Sequence, residues 1–268
     1  MGQIIEFPND KKSKDKIQKL KKTLENLVFE RDNLKYIICE NIKTEYMLIF
    51  GSLEYKIYKA YCNYLRFKRK KDMIQAKKNR QEKINMEVID RKLDLEFTEY
   101  KKKLNEKIEE INTALRRSKS DILSDDDEKR LKKLYKSIVK KLHPDINLSI
   151  TNSEKELFYN ATEFYKNGDL KSLQIIFDIV CSEDVKYDIG LDGKSLEEEV
   201  IRLTDLVNLI KNDIELTKSM PPYTWRIYVE DEKKKSERLS QLEKDLKSFD
   251  DAVRTQEEYI NNLIRDEI

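Results

Sequence analysis

Apolar positions recur at steps of three and four along almost the whole chain, and that period predicts helices and no sheet. Ile17, Leu20, Leu24, Leu27, Leu34 and Ile38 mark a first helix after a lead-in over 1–11, with Arg31 standing where an apolar residue is due. Tyr46, Phe50, Leu53, Ile57, Tyr61 and Tyr64 mark a second, and Gly51 lies inside it. A mid-helix glycine costs about 1 kcal/mol relative to alanine. It serves either a hinge or the close approach of a neighbouring helix, and close approach is the simpler reading. Asn85 is suited to cap the next helix, whose apolar positions run Ile89, Leu93, Phe97, Tyr100, Leu104, Ile108, Ile111 and Leu115. The short connection predicts that this helix returns antiparallel onto the second.

The pattern is sharpest over Leu131–Asp145, LKKLYKSIVKKLHPD. Leu131, Leu134, Tyr135, Ile138 and Leu142 form one face, while Lys132, Lys133, Lys136, Lys140 and Lys141 cover much of the rest. Ser124 is suited to cap its start, with Asp125, Asp126 and Asp127 where the helix dipole favours acids. Pro144 has no amide hydrogen and drives His143 out of the helical region, so the helix must stop there. A loop follows over 146–152. Ser153 and Glu156 have capping-box spacing, and Leu157, Phe158, Ala161, Phe164 and Tyr165 supply the apolar face of the next helix. Gly168 ends it, and Asp169 can cap a short helix bearing Leu170, Leu173, Ile176, Phe177 and Val180.

Tyr187–Gly193 reads as a turn, and Ser195 with Glu198 again has capping-box spacing. Leu196, Val200, Leu203, Val207, Ile210 and Ile214 make one seam. Leu239, Leu242, Leu246, Phe249, Val253, Gln256, Ile260 and Leu263 make a second, heptad-spaced seam with one polar interruption. Pro221-Pro222 must separate them. The expectation is an antiparallel coiled-coil hairpin, with Trp225 packing its tip. The predicted organisation is therefore all-α: an N-terminal helical hairpin region over 1–120, a helical core over 121–185 and a C-terminal hairpin over 186–268.

Composition narrows the function classes. Charged residues are 40% of the 268, yet the net charge is only +2, so attraction to nucleic acid would have to be local. The one concentrated stretch is Arg66–Lys83; few aromatics interleave, so a solvated helix end is the preferred reading and nucleic acid is disfavoured as a partner. No secretory signal or apolar run of membrane length is read. Cys39, Cys62 and Cys181 are odd in number and far apart. Together these predict reduced, buried cysteines in a cytoplasmic protein.

The single histidine, His143, cannot assemble a metal site alone, and no cysteine pair has zinc spacing. As a catalytic base it has only Ser137 and Ser149 as nearby hydroxyls, and no phosphate loop, nucleophile elbow or carboxylate pair accompanies it. No catalytic residue, metal or cofactor is assigned.

The stretch resembles helix II and the His-Pro-Asp loop of the J-domain, the co-chaperone module of Hsp70. The family places a basic pair, an aromatic, a basic residue, branched apolar residues, then a basic and a large apolar residue before the tripeptide. Here those places hold Lys132-Lys133, Tyr135, Lys136, Ile138, Lys141 and Leu142, without a gap, and Asn147 after the tripeptide also fits. Phe158, Ala161 and Tyr165 match core positions of the family's helix III, which pairs antiparallel with helix II. With Leu131, Tyr135, Ile138 and Leu142 they would form the core of that pair.

The resemblance implies an atypical, bacterial-type (DnaJ-like) member that binds a DnaK-type Hsp70 and stimulates its ATP hydrolysis without doing chemistry itself. Asp145 would be the critical contact, His143 and Pro144 would shape its loop, and Lys132, Lys133, Lys136, Lys140 and Lys141 would steer. The likeness covers about Leu131–Asn147 strongly and extends to Tyr165. The family's helix I motif is absent before Ser124, and the helix ending near Leu115 is the candidate to take its place. The basic segment after helix III, the Gly/Phe-rich linker and the zinc-binding repeat are also absent. The helical arms would then bind a client or a second copy. Two other readings stand beside this one: a helical scaffold or adaptor with a degenerate J-like core, and a nucleic-acid-associated protein using Arg66–Lys83.

Overall fold

A computed structural model describes residues 8–119, 123–181 and 193–265. The described residues are all-α, with helices α1 (Pro8–Asn33), α2 (Cys39–Asn79), α3 (Met86–Glu96), α4 (Thr98–Lys119), α5 (Asp125–Leu142), α6 (Asn152–Asn167), α7 (Leu170–Cys181), α8 (Gly193–Ser219), α9 (Arg226–Glu230) and α10 (Glu232–Arg265). A π turn over Leu34–Ile38 joins α1 to α2, and a 3-10 turn over Tyr223–Trp225 precedes α9. The lead-in is shorter than the period suggested, because α1 already begins at Pro8. The chain divides into two compact units, Met1–Asn41 with Asp121–Thr224, and Ile42–Ser120 with Trp225–Ile268.

In the first unit α5 is the central helix. Ser124 caps its start by accepting from the Asp127 amide. It pairs antiparallel with α6: Tyr135 stacks on Tyr165 with centroids 4.1 Å apart, and His143 meets Phe158 edge-on at 5.0 Å. The capping box of α6 is Thr151 with Glu154, two residues before the expected Ser153. Thr151 holds the extended backbone, accepts from the Glu154 amide and donates its own amide to the Glu154 carboxylate at 2.7 Å. Gly168 ends α6 at φ +69°, where a Cβ would be strained and would sit 3.2 Å from Leu123. Asp169 then accepts from the Ser172 amide at the start of α7.

Helices α1 and α8 complete this core. Ile17, Leu24 and Val28 of α1 and Leu196, Leu203 and Ile210 of α8 join Leu131, Tyr135, Ile138, Ala161, Tyr165 and Leu173 in one buried cluster. The α8 helix begins at Gly193, so Ser195 lies within it rather than capping it; the Tyr187–Gly193 turn falls almost wholly outside the described residues. The helix ending near Leu115 is α4, which lies in the second unit. It is α1 that packs on α5.

In the second unit α3 and α4 run back along α2, as Arg69 with Glu96, Arg66 with Asp94 and Lys43 with Glu110 require. The period over 85–115 suggested one helix, but the chain breaks at Phe97, whose ring is buried. A Cβ at Gly51 would lie 3.1 Å from Ile111, so this glycine serves close packing. The seam of α10 lies along α2, and Glu54–Arg238, Tyr61–Phe249 and Lys71–Tyr259 advance in step, so the two run parallel. The 186–268 hairpin is therefore not the observed arrangement. Its first helix is in one unit and its second in the other. Both seams are real, but each finds its apolar partner on another helix: α8 on α1, α10 on α2. Trp225 stacks on Tyr46 at 4.4 Å rather than on a hairpin tip.

Candidate functional site

The site is the corner where α5 meets its proline. His143 is the C-cap, with ψ turned to 125°, and its amide still donates to the Val139 carbonyl at 3.0 Å. Its own carbonyl accepts from the amides of Ile146 and Asn147, both at 3.0 Å. The Asn147 side chain reaches back and donates to the carbonyls of Lys140 and Lys141, both at 3.0 Å. Two of the four carbonyls that any helix end leaves open are thus satisfied by one amide group. Ile146 and Ile150 are buried and anchor the loop in the core.

His143 is buried, 4% exposed, against Phe158. Its Nδ1 accepts from the Asp145 amide at 3.1 Å, which places the ring proton of the neutral form on Nε2. Burial pushes the imidazole below its ordinary value of 6.5; Asp145 pulls it up, and Arg31 pushes it further down. The Asp145 side chain is 49% exposed, and its Oδ2 lies 4.0 Å from Nδ1, beyond a hydrogen bond. The ring holds the main chain and makes no hydrogen bond to the carboxylate. His143 thus points inward, Pro144 is half-buried and Asp145 faces solvent.

The five lysines are not equivalent. Lys133, Lys136 and Lys140 are exposed and spaced along one side of α5. The Lys136 ammonium also sits 5.7 Å from the Phe29 ring. Lys132 is paired with Glu128 one turn earlier, and Lys141 donates to the Val180 carbonyl at 3.2 Å. Glu25 of α1 faces Lys136 and Lys140; burial raises its pKa, and those two lysines oppose the rise.

Two groups near the corner escaped the sequence reading. Asp32 is a carboxylate only 1% exposed that accepts from the Tyr135 hydroxyl at 2.8 Å and pairs with Arg31 at 2.7 Å. Tyr165 donates to Asn33 at 2.9 Å. Burial, with Asp32 next, pushes both tyrosine hydroxyls far up, so they stay protonated donors. The signal was present as Arg31-Asp32-Asn33, a polar triplet breaking an apolar stripe just before the π turn. The second group is Arg202 of α8, whose Nη1 donates to the Asp145 carbonyl at 3.3 Å.

Several cations of the basic stretch Arg66–Lys83 are ion-paired within their own unit. Arg66 pairs with Asp94, Arg69 with Glu96, Lys70 with Asp90, and Lys77 and Arg80 with Glu82. Among the described residues, no group of three His, Cys, Asp or Glu side chains could hold a metal ion. Nor, among them, is any helix long and apolar enough to cross a membrane. No protein-family model, curated protein or solved structure matches the chain.

Proposed function

We propose that this chain is a J-domain-like co-chaperone that binds a DnaK-type Hsp70 through the His143–Asp145 corner and the α5 lysines, and stimulates its ATP hydrolysis. One observation carries the reading: Asp145 is exposed on a loop whose neighbouring His143 and Asn147 side chains are turned back onto the main chain and bonded there. A carboxylate so held is arranged to meet a cation on another molecule, because the loop spends little ordering entropy on binding. Lys133, Lys136 and Lys140 stand along the adjoining helix and suit an acidic surface on the same partner. Such a face raises the encounter rate and sets orientation more than it adds affinity. In this reading α1 occupies the place of the family's helix I, and the ion-paired state of Arg66–Lys83 argues against a nucleic-acid role for that stretch.

The test is single-turnover ATP hydrolysis by a bacterial-type Hsp70, with and without the full chain. The expected result is stimulation that Asp145→Asn abolishes. An Hsp70 indifferent to the wild-type chain, or equally stimulated by the variant, would favour a helical scaffold that keeps the corner only as a fold element.

A further inference from the structure

The Asp145 main chain is gripped at both of its peptide groups. Its amide donates to His143 Nδ1 at 3.1 Å, a contact within the tripeptide itself. Its carbonyl accepts from Arg202 Nη1 at 3.3 Å, a contact from α8, 57 residues away in sequence. Arg202 is itself set in place: its Nε and Nη2 donate in a fork to Glu199 at 2.7 and 2.8 Å. The Glu199 side chain is only 15% exposed, so this pair is built into the unit rather than loose on its surface.

We infer that Arg202, held by Glu199, is a positioning residue for Asp145 and makes α8 a working part of the recognition corner. The inference rests on the function proposed above for its consequence, though not for its geometry. Glu199 has a second part in it. A free guanidinium beside an exposed carboxylate would turn and pair with it, and Asp145 would then be occupied from within. With two nitrogens committed to Glu199, Arg202 offers its remaining Nη1 to the carbonyl and acts on the Asp145 carboxylate only through space, with no hydrogen bond to it.

Two measurements on the full chain test this. In amide exchange of the free protein, Arg202→Ala should speed exchange of the Asp145 and Ile146 amides by about fivefold, the loss of one such bond. In Hsp70 single-turnover assays, Arg202→Ala should lower maximal stimulation by a similar factor and move the half-saturating concentration less than about twofold, because the lysine face is intact. Glu199→Gln should also lower the maximum, and the double variant should be no worse than either single, since the two act as one unit. Glu199→Gln also serves if Arg202→Ala is misfolded by circular dichroism. If Asp145→Asn abolishes stimulation while Arg202→Ala and Glu199→Gln keep the wild-type maximum, the inference is overturned and the proposed function stands. If the wild-type chain does not stimulate, the proposed function falls, and exchange alone decides whether Arg202 fastens the loop. Unchanged exchange overturns the inference in either case.

Discussion

At the scale of single residues, the corner divides its labour between a buried histidine and an exposed aspartate. The histidine can hold the Asp145 amide only while Nδ1 is unprotonated, and burial keeps it so. The sign of the resulting pH dependence follows. The unfolded chain binds a proton at about the ordinary 6.5, and the folded chain binds it only at lower pH. Acid therefore favours unfolding: the histidine's contribution to stability is complete above about 6.5 and shrinks as pH falls below it. Urea unfolding at about pH 7.5 and 5.5 should show a loss of stability that is smaller in His143→Gln, which keeps an acceptor but cannot titrate. Equal losses in the two proteins would mean the ring is not held neutral by the fold. Much of this was legible in the residues. Pro144 dictated the helix stop, and Asp145 followed it onto the loop. The Asp32–Tyr135 bond was not, because a buried carboxylate is set by what folds over it from another helix, which a periodic pattern does not report.

At the scale of elements, the helices followed from period, but the break at Phe97 and the cap at Thr151 did not, and neither did the availability of a charge. Ser124, Asn85, Gly168 and Asp169 cap as their residue types suggest, because capping is local chemistry. The five α5 lysines looked alike in sequence, yet Lys132 is committed to Glu128 and Lys141 to the Val180 carbonyl. This separation makes a contrast. Under the proposed function, neutralising Lys133, Lys136 and Lys140 to glutamine should slow association with a bacterial-type Hsp70 by about tenfold at low salt, and the difference should close as salt is raised to roughly 0.5 M. Lys132→Gln alone should change the rate little, since its charge is already offset. Stopped-flow binding at several salt concentrations would show this, with helix content checked by circular dichroism. A salt-independent loss in the triple variant would instead point to damaged packing of α5.

At the scale of the whole molecule, the domain plan is where sequence order misleads. The period marks apolar faces but does not say which face meets which, and adjacent seams joined by a tight Pro-Pro connection suggested a hairpin. The observed units are discontinuous in sequence, and the core around α5 draws on α1 from before it and α8 from after it. An autonomous J-type module would hold its own core within 121–185. Here that segment shares Tyr135, Ile138 and Val139, all fully buried, with a cluster that includes Ile17, Leu24 and Val28 of α1 and Leu203 and Ile210 of α8. Each large apolar side chain withdrawn from such a core removes about 1.5–3 kcal/mol of burial. A segment of this size has little stability to spare. Residues 121–185 produced alone should therefore be mostly unfolded by circular dichroism and lack a cooperative thermal transition, while the full chain melts cooperatively. A folded, cooperative fragment would reverse the argument, making α5, α6 and α7 a self-sufficient module to which α1 and α8 are added.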